Sequence, residues 1–290
     1  MVNPFPVVGV LGSGYLSQML LGPASALGID LRLFDFKRDD LQAVREFAKK
    51  CDVVTFEGGL VPISVVRTLE GDGVVVRPSS HSLEKLPESV ASPEGMEIAV
   101  HVARSPHSQA SVWAPTQIFR KDDHDLRTES PVQEISQAQA NDAQRIALEF
   151  AQQISLVGVM GINLLLMEHE LVISSVVLTP QSSGVWTIDG SRTSQFEQHL
   201  RAVLDLPLGD TSMTSQTVLV GNVYAGAKSD MYRPYLHLMA RCPAMKFHQY
   251  GISAGPAGSV GHVCLVGDDL LDLRECISHA VDYMSGEIDE

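Results

Sequence analysis

A chain of 290 residues that is 44% hydrophobic and 19% charged has the composition of a folded globular protein, with room for one large domain or two to three small ones. Its net charge of −14 argues against nucleic acid and anionic membranes as partners, since basic residues come no denser than Lys37-Arg38 and Lys49-Lys50. The longest apolar run, Val157 to Met167, spans eleven residues and contains Asn163, too short and too polar to cross a bilayer. No basic leader opens the chain, and Cys51, Cys242, Cys264 and Cys276 have no metal-binding spacing. A cytoplasmic protein with reduced thiols and no metal centre is expected.

The first part alternates strand and helix. Val7 to Leu11 is an apolar strand ending in Gly12-Ser13-Gly14, and a helical pattern follows to Gly28. Strands are expected at Leu31 to Phe36, Asp52 to Phe56 and Gly73 to Arg77, with helices over Asp40 to Lys50 and after Pro62. This rhythm predicts a parallel sheet with right-handed crossovers. Ser82 to Gly95 is rich in Pro, Ser and Glu and reads as a connector. Longer strands follow at Glu97 to Arg104, Ser111 to Phe119, Val157 to Met167 and Leu171 to Leu178. One strong helix runs from Ala138 to Ile154, and the whole predicts a mainly antiparallel sheet carrying helices. The tail alternates again: a strand over Gln216 to Tyr224, a helix near Tyr232 to Arg241, strands at Lys246 to Tyr250 and Gly261 to Val266, and a closing helix from Asp268 to Met284.

Two motifs invite chemistry. Gly12-x-Gly14-x-x-Ser17 follows a strand, with Asp35 ending the next strand, about the spacing of a dinucleotide site. Ser17 stands where a third small residue belongs, and two glycines at such a turn are common without a ligand. Further on, Ser194 and Glu197 form a capping box. The helix they open carries Gln195, Gln198, His199 and Arg201 on one turn.

The stretch Trp186 to Asp210, W-T-I-D-G-S-R-T-S-Q-F-E-Q-H-L-R-A-V-L-D-L-P-L-G-D, resembles the N5-carboxyaminoimidazole ribonucleotide synthase family of ATP-grasp enzymes in bacterial purine synthesis. The likeness extends in order through Val7 to Met19, Asp52 to Pro62, Glu97 to Pro106, Val157-Gly158-Val159, and Tyr250-Gly251 with Val260 to Gly267. It implies an α/β fold: a Rossmann-like (pre-ATP-grasp) N-terminal parallel sheet over 1–80, a connector at 81–96, a truncated ATP-grasp-type α+β core over 97–222 and a small C-terminal domain over 223–290. It also implies a homodimer and, in the family, carboxylation through a carboxyphosphate made from MgATP.

The matched positions depart from that chemistry. The family's lid module belongs between Arg77 and Glu97, where this chain has only the connector with Lys85. Metal-binding carboxylates match Asn163 and Ser174-Ser175, and neutral oxygens do not hold two Mg²⁺ ions against phosphates. Neighbouring family Arg, His and Asn residues match Thr179, Gln181 and Ser182, and a family His matches Val185. The nucleotide-sugar side matches Tyr15, Ser17, Gly59 and Leu60, and the phosphate cradle's cations match Ile252, Gly258 and Ser259. Glu57, Glu97, Arg104, Arg192, Gln195, His199, Arg201, Asn222 and His262 remain.

The expectation is a homologue that has lost ATP-dependent carboxylation, holds no Mg²⁺ or other cofactor, and binds a small-molecule ligand or a protein partner. Ligand contacts are expected from Gly12, Gly14, Tyr15, Gln195 and Asn222. The alternative is an enzyme of altered chemistry in the same cleft, with Glu57, His199, Arg201 and His262 as catalytic candidates. Dinucleotide binding at Gly12, Gly14 and Asp35 ranks below both. An enzyme should keep a deep pocket; a binding protein should have the cleft closed by Val177, Val185 and Ile252.

Overall fold

The computed structural model describes residues 5–37, 40–89, 95–121, 124–168, 170–224, 233–250 and 259–288. Two sheets carry the fold. The first is parallel, with β1 (Val7–Leu11) between β2 (Asp30–Phe34) and β3 (Val53–Phe56). Every residue of β1 and β3 is buried, as expected for strands covered on both faces by crossover helices. Those helices are α1 (Tyr15–Gln18), α2 (Leu21–Leu27), α3 (Leu41–Ala48) and α4 (Ile63–Gly71).

Two expectations for this part are corrected. The helix expected from Gly14 to Gly28 is broken between Gln18 and Leu21. Pro23 has no N–H to donate to the Met19 carbonyl, so a continuous helix would lose a bond there. The strand expected at 73–77 is reduced to one parallel bridge between Val54 and Val76, and Pro78 has no N–H to extend it. From Arg77 the chain reaches the second sheet at Met96 through α5 (Ser80–Leu83) and the short connector, too few residues to build a separate module.

The second sheet is antiparallel and has nine strands: β4 (Met96–Arg104), β5 (Ala110–Val112), β6 (Thr116–Lys121), β7 (His124–Ser130), β8 (Gly158–Met167), β9 (Glu170–Val177), β10 (Thr217–Tyr224), β11 (Lys246–Gln249) and β12 (Ser259–Gly267). The order is β11-β12-β10-β7-β6-β4-β8-β9, with β5 on β4. The strand expected at 111–119 is split at Pro115 into β5 and β6. β7 was not expected at all, because Thr128, Glu129 and Ser130 are polar although buried. The boundary expected between 222 and 223 falls inside β10, which pairs with β7 on one side and β12 on the other. The large sheet therefore runs through into the C-terminal strands.

α6 (Gln137–Gln153) opens with a capping box of Ser136 and Gln139 and covers β4 and β8 with Ala143, Ala147 and Ala151. α9 (Pro234–Arg241) and α10 (Leu270–Ser285) pack over β10 and β12, with Leu219, Leu238, Ile277 and Met284 at the centre of that core. α7 (Thr187–Gly190) and α8 (Gln195–Val203) bridge the two sheets. Val8, Val10 and Leu20 share one core with Trp113, Trp186, Phe196 and Leu200. No described helix is long and apolar enough to cross a membrane.

Candidate functional site

The glycine turn after β1 is closed by the protein itself. Gly12 has φ 148°, and a Cβ at either Gly12 or Gly14 would collide with Glu57 at the end of β3. Glu57 Oε2 accepts hydrogen bonds from the Gly14 N–H (2.9 Å) and from Ser17 Oγ (2.8 Å). A pyrophosphate at this turn would need the donor that Glu57 already engages. Asp35 is exposed and lies 3.9 Å from Lys37 Nζ. Beside the turn is a shallow cavity of about 400 Å³ bounded by Ser13, Gly14, Asp35, Glu57, Gly59 and Leu60. Its two carboxylates repel phosphates, which weighs against the dinucleotide reading.

On the inner side of Glu57 the described residues of the two sheets pack closely. A Cβ at Gly58 would overlap Val177 Cγ1 and lie 2.5 Å from Thr179 Oγ1, so a glycine here lets the loop press onto the end of β9. The remaining void, lined by Leu16, Phe56, Glu57, Thr179 and His199, is about 10 Å³. That is at most the room of one water molecule. Val185, expected on this wall, lies fully buried in the shared core, and Ile252 is outside the described residues.

Asn163 on β8 and Ser175 on β9 face one another in register. Asn163 Nδ2 donates to Ser175 Oγ (3.1 Å), and Ser174 Oγ donates to the Asn163 carbonyl (3.1 Å). Asn163 Oδ1 and Thr179 Oγ1 are buried without a hydrogen-bond partner. These are neutral oxygens, and among the described residues no group of three or more His, Cys, Asp and Glu could hold a metal ion. The set does not fit Mg²⁺ bridging nucleotide phosphates, which takes anionic oxygens.

The polar residues of α8 hold the sheets together. Gln195 is fully buried; its Oε1 accepts from the Gln181 N–H (3.0 Å) and its Nε2 donates to the Gln181 carbonyl (2.6 Å). His199 Nδ1 accepts from the Val159 N–H (3.1 Å), which leaves the ring proton on Nε2 to be donated to Thr55 Oγ1 (2.8 Å). Burial pushes the His199 pKa down to about 3, so the ring is neutral near pH 7. Arg201 turns the other way, pairing with Glu197 (2.5 Å) and donating to the Pro207 carbonyl (3.4 Å). The expected capping box is half formed: Ser194 Oγ accepts from the Glu197 N–H, but the Glu197 carboxylate goes to Arg201.

His262 belongs to a separate column. Tyr15 stacks on Tyr250 (4.0 Å between centroids), the Tyr250 hydroxyl bonds His262 Nδ1 (2.8 Å), His262 stacks on His248 (4.4 Å), and His248 Nε2 meets Asp189 Oδ2 (2.7 Å). Asn222 opposes His262 in the β10–β12 register. Burial, with His248 adding to it, pushes the His262 imidazole well below its ordinary value, and burial raises the Tyr250 phenol. Ser259 is buried on β12, whereas Ile252 and Gly258 lie outside the described residues.

Of the residues singled out in the sequence, Tyr15, Asn222 and His262 therefore gather around Tyr250, and Gly12, Gly14 and Glu57 around the turn. His199 faces the small void beside Glu57, while Arg201 and Gln195 serve neighbouring loops. Gly58, His248 and Asp189 were missed. The Gly58-Gly59 pair after a strand end was the one visible signal of a close approach.

Residues 87–196 match the ATP-grasp domain model. The N5-carboxyaminoimidazole ribonucleotide synthase of Mycobacterium tuberculosis (strain ATCC 25618 / H37Rv) is 29% identical over 377 aligned positions, covering 97% of this chain and 88% of that one. The alignment is longer than this whole chain, so part of that protein has no counterpart here. The N5-carboxyaminoimidazole ribonucleotide synthetase of Thermus thermophilus superposes with a TM-score of 0.85 at 22% identity, covering 98% of this chain and 99% of that one. The Aspergillus clavatus N5-carboxyaminoimidazole synthase, solved with ADP and 5-aminoimidazole ribonucleotide, gives 0.86 at 21% identity, covering 99% and 100%.

Proposed function

We propose that this chain, a homologue of the N5-carboxyaminoimidazole ribonucleotide synthases, lacks their central lid, has given up MgATP-dependent carboxylation and acts as a non-catalytic binding protein. The observation that carries the reading is the collapse of the inter-sheet cleft. Glu57 engages the turn, Gly58 lies against Val177 and Thr179, and among the described residues the void beside Glu57 and His199 is about 10 Å³. Carboxylation by way of an acyl phosphate needs metal-bound phosphates, a water-excluding lid and a pocket that admits substrate. The neutral Asn163–Ser175 pair and the short connector supply none of these.

An altered enzyme in the same cleft would need Glu57 and His199 available for proton transfer. Glu57 accepts two hydrogen bonds in the turn, and both His199 nitrogens are engaged in the core. Outside the turn a cavity of about 400 Å³ stays open, whose carboxylates Asp35 and Glu57 suit a cationic or polyhydroxyl small molecule. A cytoplasmic homodimer presenting this cavity is part of the proposal.

The test is ATP hydrolysis dependent on both bicarbonate and 5-aminoimidazole ribonucleotide. The expected rate is indistinguishable from that without protein. Turnover within the ordinary enzyme range, about 1 s⁻¹ or faster, overturns the proposal.

A further inference from the structure

α9 and α10 lie side by side over β10 and β12, remote from the cleft. His237 and His279 are hydrogen-bonded through their Nε2 atoms (3.4 Å), and Tyr283, one turn further along α10, packs on His237 with ring centroids 4.6 Å apart. Beyond His237 the contact passes to Cys242 at the end of α9, whose thiol meets that of Cys276, one turn before His279. Positions thus rise along α9 as they fall along α10, which is the pairing of antiparallel helices. Both thiols are half-buried at the margin of the core that contains Leu238, Leu273 and Ile277. The Cys242 backbone is held too: its N–H donates to the Leu238 carbonyl (2.8 Å) and its carbonyl accepts from the Met245 N–H (3.0 Å).

We propose that Cys242 and Cys276 form a dithiol modification site, which a small disulfide oxidant closes into a disulfide tying α9 to α10. A disulfide needs its sulfurs about 2.05 Å apart and its Cβ atoms about 3.8 Å apart. Thiols already in contact reach that by turning one side-chain bond each, with both helices in place. The other two cysteines do not compete. Cys264 lies on β12 between Val263 and Leu265, so it faces away from α9 and α10, fully buried in the core of Val220 and Trp186. Cys51 follows α3 beside the parallel sheet, where its Sγ donates to the Phe47 carbonyl (3.5 Å).

The chemistry is thiol–disulfide exchange with an oxidant such as oxidised glutathione. One thiolate attacks a sulfur of the oxidant and expels one glutathione thiolate, leaving a mixed disulfide. The second thiol loses its proton to water, and its sulfur displaces the other glutathione. The two cysteines lose two electrons and two protons, and one glutathione disulfide becomes two thiols. Burial, followed by Cys242, pushes the Cys276 thiol above its ordinary value. Whichever sulfur reacts first, Cys276 must ionise at one of the two steps, so closure quickens as pH rises. The closed loop of about 35 residues includes β11 and β12. The cross-link therefore restricts the unfolded chain and holds the helix layer over the sheet.

The experiment takes the full chain, reduced and freed of reductant, and incubates it with excess oxidised glutathione. Mass spectrometry then reads the intact mass and, after proteolysis, the peptides. The expected result is one cross-linked peptide pair carrying Cys242 and Cys276, reversed by dithiothreitol, with a rise in melting temperature of about 3 °C or more. Closure should be faster at about pH 9 than at about pH 7. Cys242→Ser and Cys276→Ser should each lose the cross-link and the rise, and Cys51→Ser should keep both. The wild-type peptide map decides the pairing even where a serine variant does not fold. Free thiols or separate glutathione adducts at Cys242 and Cys276 overturn the proposal. A cross-link through Cys51 or between two molecules, or one that leaves the melting temperature unchanged, overturns it as well.

Discussion

Two of the polar clusters buried in the large sheet are built on opposite principles. On β7, Glu129 is fully buried yet charged-partnered: Arg274 grips it with two hydrogen bonds (2.7 and 3.0 Å), and Arg127 Nε approaches to 2.9 Å as an ion pair without hydrogen-bond alignment. Arg127 also lies 4.3 Å over the Phe119 ring. On β8 and β9, Asn163 and Ser175 form a neutral pair with one orphaned amide oxygen. The same sheet thus keeps a buried carboxylate where guanidinium groups meet it. A buried carboxylate without such a partner is an uncompensated charge, and an amide beside a hydroxyl costs far less.

The largest effect should follow from breaking the charged cluster. Glu129→Ala leaves Arg274 and Arg127 facing each other without an anion, and should cost about 3–5 kcal/mol in denaturant unfolding. A loss below about 1 kcal/mol would mean that the guanidinium groups relax into solvent, and that the contrast with Asn163 is only apparent.

Next in size is the response to acid. Burial lowers His199 to about 3 and His101 to about 4, so the unfolded chain binds protons more readily than the folded one. The stability from keeping each ring neutral is fully present above about pH 6.5 and is lost as pH falls from there toward the folded values. Each should remove about 2 kcal/mol by pH 5. Stability measured from pH 7 to pH 5 should fall for the wild type and fall less steeply, by about one proton, for His199→Gln. An unchanged slope would show that His199 is protonated in the fold and available for chemistry after all.

The architecture was legible wherever burial follows simple patterning. β1 and β3 are apolar throughout because both faces are covered, and α6 shows its alanine face plainly. β7 was hidden because Thr128, Glu129 and Ser130 are polar yet buried, on both faces of the strand, and polar residues in a core are visible only through partners that lie far away in sequence. The segment that carries the family resemblance, Trp186 to Asp210, turns out to be core: Trp186, Gln195, Phe196 and His199 are buried, and Gln195 and His199 are hydrogen-bonded to the fold. Such residues persist for packing whether or not chemistry survives, so they reveal ancestry and leave activity open. His199 stands among the catalytic candidates because a satisfied core histidine and a proton shuttle are alike in one dimension.

Glu57 supplies the sharpest, though smallest, perturbation, because it is a third kind of acidic group. It is held neither by a cation nor replaced by an amide; a backbone N–H and a serine hydroxyl stabilise it. Hydrogen bonds to a charged acceptor contribute more than neutral ones, about 1.5–3 against 0.5–1.5 kcal/mol. Glu57→Gln keeps the shape and one accepting oxygen, so it should cost about 1 kcal/mol in chemical denaturation and yield no ATP turnover. If it costs as much as Glu129→Ala, oriented dipoles hold a carboxylate here as firmly as two arginines do. In that case the neutral pair at Asn163 and Ser175 cannot be explained by a missing cation alone, because the backbone could have held an acid there too.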